Sequence, residues 1–274
     1  MADISLAETS MAQLQRELDA ARAELQDFTS TVSHDLRAPL RHITSFAQVI
    51  AEDWPDMPAD VAGHLGTIRE SAQLLSRQLD GLTQLSRLGT RALDIQPVNV
   101  SALAQAVMDD LGRPVGPDVQ WQVAADVPPV VLADADLLRQ VLAQLLDNAL
   151  KFSRGRASRQ ISLEWHDTAG WPGDAPSGDA GLEHGPDGPN SPNGPTCCFS
   201  IRDNGVGFRP EQAQRLFKVF AKLHPAREFE GLGLGLVACR KIIDRLGGSI
   251  RIQGAADAGC QVMIRLPVAS VAIK

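Results

Sequence analysis

Apolar residues near the start of the chain recur in steps of three and four. Met11, Leu14, Leu18, Ala21, Leu25, Phe28 and Val32 fall at the a and d positions of a coiled coil, and Arg16, Glu17, Asp19, Arg22, Glu24 and Asp27 supply a solvated face. The seam is about three heptads long, the minimum for a stable pair, and a helix packed on its own domain is the alternative. The helical pattern runs on through Leu36 into residues 40–50, with Val32, Leu36 and Leu40 expected on the seam. Pro39 interrupts it and is expected to kink the helix or cost a hydrogen bond. Asp53-Trp54-Pro55-Asp56-Met57-Pro58 ends it. A second helix carries Leu65, Ile68, Ala72, Leu75, Leu79 and Leu82 at the same spacing. Two such helices with a short connection make an antiparallel hairpin. One hairpin has too little core for two apolar seams, so the pattern predicts a homodimer closed as a four-helix bundle.

The pattern changes after Gly89-Thr90. Strand-like runs at Val119–Ala124 and Val130–Leu132 mix with a helix near 100–111. A long helix is expected over 134–152, capped by Asp134 or Asp136. Strands follow at Ile161–Trp165 and Cys197–Arg202, then a helix at Leu232–Arg245 and two closing strands at 248–253 and 260–266. Residues 166–196 are rich in Gly, Pro, Asp and Asn without apolar period, and are expected to form a disordered loop that can be shortened with little effect on ligand binding. The chain thus divides into an N-terminal signalling helix (1–27), a helical hairpin (28–92) and an α/β sandwich with a mixed sheet covered by helices (93–274).

Composition narrows the function. A net charge of −7 excludes the basic face a nucleic-acid binder needs. Cys197, Cys198, Cys239 and Cys260 have no C-x-x-C spacing and are expected as buried or half-buried free thiols. No apolar run is long enough to span a membrane, and the N-terminus lacks the basic flank and apolar stretch of a secretory signal. A cytoplasmic location is expected.

Five segments carry candidate chemistry. In Ser33-His34-Asp35-Leu36-Arg37-Ala38-Pro39-Leu40, an outward imidazole has a carboxylate beside it. The carboxylate can take the Nδ1 proton while Nε2 attacks a phosphoryl group. In Leu145-Leu146-Asp147-Asn148-Ala149-Leu150-Lys151-Phe152, Asn148 offers an oxygen suited to Mg2+, and Lys151, on the same helical face, can meet a phosphate. Asp203-Asn204-Gly205-Val206-Gly207-Phe208 puts a carboxylate at a strand end, where it can accept from an exocyclic amine, with glycines that let backbone approach a ligand. Gly231-Leu232-Gly233-Leu234-Gly235-Leu236 opens a helix, whose N-terminus favours phosphate. Between these last two, Phe217 and Phe220 can anchor a lid from which Lys218, Lys222 or Arg227 reaches a terminal phosphate.

In this order, the segments resemble the sensor histidine kinases of two-component systems over residues 28–267. The likeness is greatest to the phytochrome-like branch, on His34-Asp35-Leu36-Arg37-Ala38-Pro39-Leu40-Arg41 and the 217–224 run. The resemblance implies a dimerising histidine hairpin followed by an ATP-binding domain of the GHKL type. It implies His34 as phosphoacceptor (H box) and Asp35 as its base. Asn148 would hold Mg2+ with Lys151 on the phosphates (N box), and Asp203 would hold the adenine amino group, with Gly205 and Gly207 lining the base pocket (G1 box). Gly231, Gly233 and Gly235 would lie at the phosphate end of the lid (G2 box), which Lys218 and Lys222 flank. ATP and Mg2+ are the implied cofactors. The partners are a second copy, an aspartate-bearing response-regulator receiver domain, and an upstream sensor domain or protein. No sensor region precedes the coiled coil in the sequence, so either a larger protein or a separate partner is expected to supply the signal.

Two residues depart from the pattern. Gln144 stands where the N box usually has another Asn, one methylene shorter. Ala38 stands four residues after His34, where Thr or Asn accompanies phosphatase activity; alanine cannot orient a water. A kinase-like scaffold without turnover and a conformational ATPase of the same nucleotide fold are the rival readings. The intact His34, Asn148 and Asp203 weigh against the first, and the histidine hairpin against the second.

Overall fold

A computed structural model describes residues 2–112, 119–124, 130–166, 195–225 and 228–268, with the side chains of 2–12, 15, 19 and 22 excepted. The chain splits into two compact units, Met1–Arg91 and Ala92–Lys274.

The first unit is a helical hairpin of α1 (Ala2–Asp53) and α2 (Ala59–Arg87). The sequence predicts an interruption at Pro39, but α1 is continuous through it. The neighbouring turns hold the backbone helical, and the cost is local. Proline has no N–H, so the Asp35 carbonyl lacks its intrahelical donor. The buried face of α1 is Ser33, Leu40 and Ala47, spaced by sevens, and α2 supplies Ala72 and Thr83. Leu40 therefore faces the hairpin interior rather than the outer seam, whereas Val32 and Leu36 stay exposed, as do Leu14, Leu18, Leu25 and Phe28. Met11 falls outside the described side chains. Ile43, Phe46 and Ile50 on α1 and Ile68 and Leu75 on α2 are exposed as well. The hairpin leaves more large apolar side chains in water than it buries.

The second unit is built on a five-stranded sheet in the order β2-β4-β5-β7-β6, formed by β2 (Val119–Val123), β4 (Arg159–His166), β5 (Thr196–Asp203), β6 (Ser249–Ala255) and β7 (Gly259–Pro267). β2 runs parallel to β4 and the other pairs are antiparallel, giving the mixed sheet expected. A separate ribbon pairs β1 (Gln96–Val98) with β3 (Val131–Ala133). The sequence reading misses β1, three residues long with a proline at its centre.

Helices α3 (Val100–Gly112), α4 (Ala135–Phe152) and α5 (Gly235–Arg245) pack together and against the sheet. The buried face of α4 is Leu137, Leu138, Val141, Leu142, Leu145, Leu146, Ala149 and Leu150. It meets a core that includes Ile161, Leu163, Phe199, Ile201, Ile264 and Leu266 of the sheet and Ile242 and Ile243 of α5. Each such side chain contributes roughly 1.5–3 kcal/mol on burial, so α4 is the most firmly seated helix of the unit. Asp134 caps it: its carboxylate accepts from the Leu137 N–H at 3.1 Å and from the Asp94 N–H at 3.2 Å. The four cysteines are free, with Cys197, Cys198 and Cys239 buried and Cys260 half-buried.

Most of the loop expected over 166–196 lies outside the described residues. Its flanks do not: His166 closes β4 and Thr196 opens β5, so the strands reach farther than their apolar runs.

Candidate functional site

In the first unit, His34 lies mid-helix on α1, on the face turned away from Ser33 and Leu40. Adjacent helical residues do not ordinarily face one another. Asp35 nevertheless reaches round, with Oδ1 3.2 Å from His34 Nδ1. The two side chains are 83% and 72% exposed. An ionised carboxylate can only accept, so this contact favours the tautomer with the proton on Nδ1 and the lone pair on Nε2. One turn on, Arg37 bonds Asp80 of α2 through Nε at 3.0 Å and Nη2 at 2.9 Å, tying the histidine turn to the second helix.

In the second unit, the last two turns of α4 are a spine on which the other segments converge. Asn148 Oδ1 accepts from Lys151 Nζ at 2.9 Å and from Gln144 Nε2 at 3.4 Å, so these three side chains share one face. The Lys151 ammonium is pushed below its usual pKa, chiefly by burial and further by the positive charges of Arg154 and Lys222, against an opposing effect of Asp147. With Arg154 and Lys222 beside it and Asp147 as its acidic neighbour, Lys151 is a half-buried cation that a phosphate can pair with.

The adenine candidate stands beside the C-terminal end of α4. Asp203, the last residue of β5, is 8% exposed. Burial pushes its carboxyl up to about 6, although the backbone N–H groups of Gly205 and Cys260 donate to it. Such a carboxylate has little solvent and gains from a ligand donor. The loop behind it is tied to α4, where the Val206 N–H donates to the Phe152 carbonyl at 3.1 Å. Gly207 has φ 59°, and a Cβ there would come within 1.9 Å of the Ala255 carbonyl oxygen. Only glycine fits.

The remaining glycines seat the lid. The sequence places a helix start at Leu232, but α5 begins at Gly235 because Gly231 and Gly233 have φ of 137° and 73°. The Gly233 carbonyl accepts from the Phe220 N–H at 3.1 Å, bringing the lid onto this loop. A Cβ on Gly231 would lie 3.7 Å from Lys151 Nζ, and one on Gly235 would lie 2.5 Å from the Gln144 amide carbon. The start of α5 is thus pressed against the Asn148 face of α4. Both lid lysines are exposed, and Lys222 is the one whose charge acts on Lys151. Phe217 is anchored under Arg240 of α5, 4.3 Å from guanidinium carbon to ring centroid. Arg227 lies outside the described residues.

Several participants carry no role in the sequence reading. Phe152, His224 and Phe229 form a mutually stacked trio with centroids 4.9–5.6 Å apart, and His224 Nε2 sits 3.0 Å from the Gly207 carbonyl oxygen. Arg156 reaches the carbonyls of Gly205 and Asp257. The trio left one usable signal, aromatics in a chain that is only 4% aromatic. Arg156 left none, since its partners are 49 and 101 residues away.

Residues 24–91 match the family model described as His Kinase A (phospho-acceptor) domain. Residues 133–270 match that of the Histidine kinase-, DNA gyrase B-, and HSP90-like ATPase. Cyanobacterial phytochrome A of Nostoc is 27% identical over 94% of this chain and 30% of its own length. Cyanobacterial phytochrome B of the same organism is 29% identical over 91% and 30%. The methanogenesis regulatory histidine kinase FilI of Methanothrix harundinacea is 28% identical over 97% and 27%. The chain therefore spans under a third of these relatives. Full-length ShkA, solved in complex with AMPPNP, shares the fold with a TM-score of 0.55 and 22% identity over 89% of this chain and 46% of that one. The Acinetobacter baumannii histidine kinase AdeS does so with a TM-score of 0.51 and 19% identity over 86% and 98%. With one model covering the histidine hairpin and the other about half of the chain, this protein belongs to the sensor histidine kinases.

Proposed function

We propose that the α/β unit binds MgATP and that its γ-phosphoryl group is transferred to His34. The observation that carries the reading is the His34–Asp35 pair, an exposed imidazole whose Nδ1 is held by a carboxylate at 3.2 Å. Nε2 attacks the γ-phosphorus, the bond to the β-phosphate oxygen breaks and ADP leaves. Asp35 stabilises the positive charge that develops on the ring and takes the Nδ1 proton. The nucleotide is oriented at two ends: Asp203 accepts from the adenine amino group, and Lys151 and Lys222 meet the phosphates. The donors present suit Mg2+, since Asn148 offers a hard amide oxygen and Gln144 a second amide one turn earlier. When bound there, the ion neutralises phosphate charge. Lys151, which now occupies Asn148 Oδ1, is then free to turn to the phosphates.

The apolar stripe around Leu25, Phe28, Phe46 and Leu75 fits a second copy of the hairpin, which makes the protein a homodimer. The phosphoryl group then passes from His34 to a receiver-domain aspartate on a response regulator, and an upstream sensor sets the rate. Ala38 puts a methyl group one turn after His34, and that side chain cannot orient a water for dephosphorylating the partner.

Incubation with γ-labelled ATP and Mg2+ tests the nucleotide half. The parent takes up label, Asn148→Ala and Asp203→Asn lose most of it, and added ADP removes it by the reverse reaction. Full labelling of both variants contradicts the assigned cleft.

A further inference from the structure

Arg156 lies in the turn between α4 and β4, outside every segment to which the sequence assigns chemistry. Its Nη2 donates to the Gly205 carbonyl at 2.9 Å and to the Asp257 carbonyl at 2.9 Å. Gly205 belongs to the loop that follows Asp203, and Asp257 to the turn between β6 and β7. The Nε atom is buried without a hydrogen-bond partner. A buried donor is left unmet only where other contacts hold the group in place. The Asp257 side chain is not that contact: it is 87% exposed, with Oδ1 3.5 Å from Nη2. Such an ion pair is screened by water and holds little.

The two segments that Arg156 joins are already tightly fitted. The Asp257 N–H donates to the Val206 carbonyl at 2.8 Å. A Cβ on Gly259 would come within 1.9 Å of the Asp203 carbonyl oxygen. The backbone of Asp203–Gly207 is therefore confined between the end of α4 and the β6–β7 turn, and one guanidinium nitrogen ties it to that turn. We infer that Arg156 is a positioning residue for the adenine pocket, fixing the Asp203 loop through two backbone carbonyls without touching the nucleotide. This rests on the reading of Asp203 as the group that accepts from the base.

The test is ADP binding to the full chain, with inorganic tripolyphosphate, which has no base, as a competitor. Arg156→Met weakens ADP binding about tenfold, equivalent to about 1.4 kcal/mol, and leaves competition by tripolyphosphate unchanged. Arg156→Lys keeps a charge but not the planar fork, and falls between Met and the parent. Asp257 has φ 59°, which asparagine tolerates, and Asp257→Asn keeps the carbonyl, so it binds ADP within about twofold of the parent. A purely structural role would lower the melting temperature of the Arg156 variants and leave the ADP affinity of the folded protein intact; that result overturns the inference. So does an Asp257→Asn loss as large as that of Arg156→Met, which would assign the grip to the ion pair. Should Arg156→Met fail to fold, Arg156→Lys decides: weakened ADP binding with unchanged tripolyphosphate competition supports the inference, and parental ADP binding overturns it. Parental ADP affinity in Asp203→Asn instead refutes the base-pocket reading itself, whatever Arg156 does.

Discussion

At the residue scale, the Asp203 carboxyl makes opposite pH demands on stability and on ligand binding. Asp203 titrates near 6, above the ordinary carboxylate range, because burial disfavours its charge. The folded chain therefore holds that proton more tightly than the unfolded chain between about pH 4 and 6. This contribution to the stability of the unliganded protein is fully present at low pH and is lost as the pH rises through about 6. It amounts to roughly 2–3 kcal/mol, and the difference in chemical unfolding between parent and Asp203→Asn across that window measures it. Adenine binding runs the other way, since the carboxylate that accepts from the base must be ionised. ADP affinity therefore falls below about pH 6 in the parent, and the slope is absent in Asp203→Asn. A calorimetric titration at several pH values checks this, and a flat parental profile contradicts the assignment. Gly207 is indifferent to pH. Gly207→Ala adds the cost of left-handed backbone and a Cβ pressed onto the Ala255 carbonyl, together about 3 kcal/mol, and lowers the melting temperature in any buffer.

At the scale of elements, the hairpin is defined by what it leaves uncovered. Phe46 is 67% exposed and Leu75 50%, and both lie on helices whose inner face buries few side chains. In the proposed homodimer, a second copy supplies the missing core. Phe46→Asp with Leu75→Asp weakens self-association on the order of a hundredfold and produces monomer in sedimentation equilibrium. An unchanged dimer would move the interface to another face. Both long helices were legible because a seam of period three to four extends over many turns. Of the two outcomes the sequence offers at Pro39, a kink or a lost hydrogen bond, the helix stays continuous and bears the second, because a single missing N–H is a local loss that a long, otherwise regular helix absorbs. β1 was too short to show a period. The start of α5 was placed three residues early because apolar residues between Gly231 and Gly235 continue the helical pattern, whereas the glycine φ values do not. His34, Asn148, Lys151 and Asp203 stand out as candidates in the sequence because each sits in a short contiguous motif. The roles of Arg156, His224 and Phe229 depend on contacts between segments distant in sequence, and no local pattern carries those.

At the scale of the molecule, the chain is two units with complementary chemistry. One presents an exposed imidazole with its proton-bearing nitrogen held, and the other gathers an amide pair, two lysines and a buried carboxylate around the end of one helix. In the proposed reaction neither unit completes phosphoryl transfer alone, so the proposal requires the two to meet and lets a signal act on how readily they do. The most direct test is to locate the phosphoryl group after incubation with γ-labelled ATP and Mg2+, comparing the parent with His34→Ala. The account predicts one acid-labile, base-stable phosphoryl group per chain at His34, found by mass spectrometry of an alkaline digest and absent from the variant. Label that persists in His34→Ala, or ATP that is bound and hydrolysed without labelling His34 even when the upstream sensor is supplied, would contradict it.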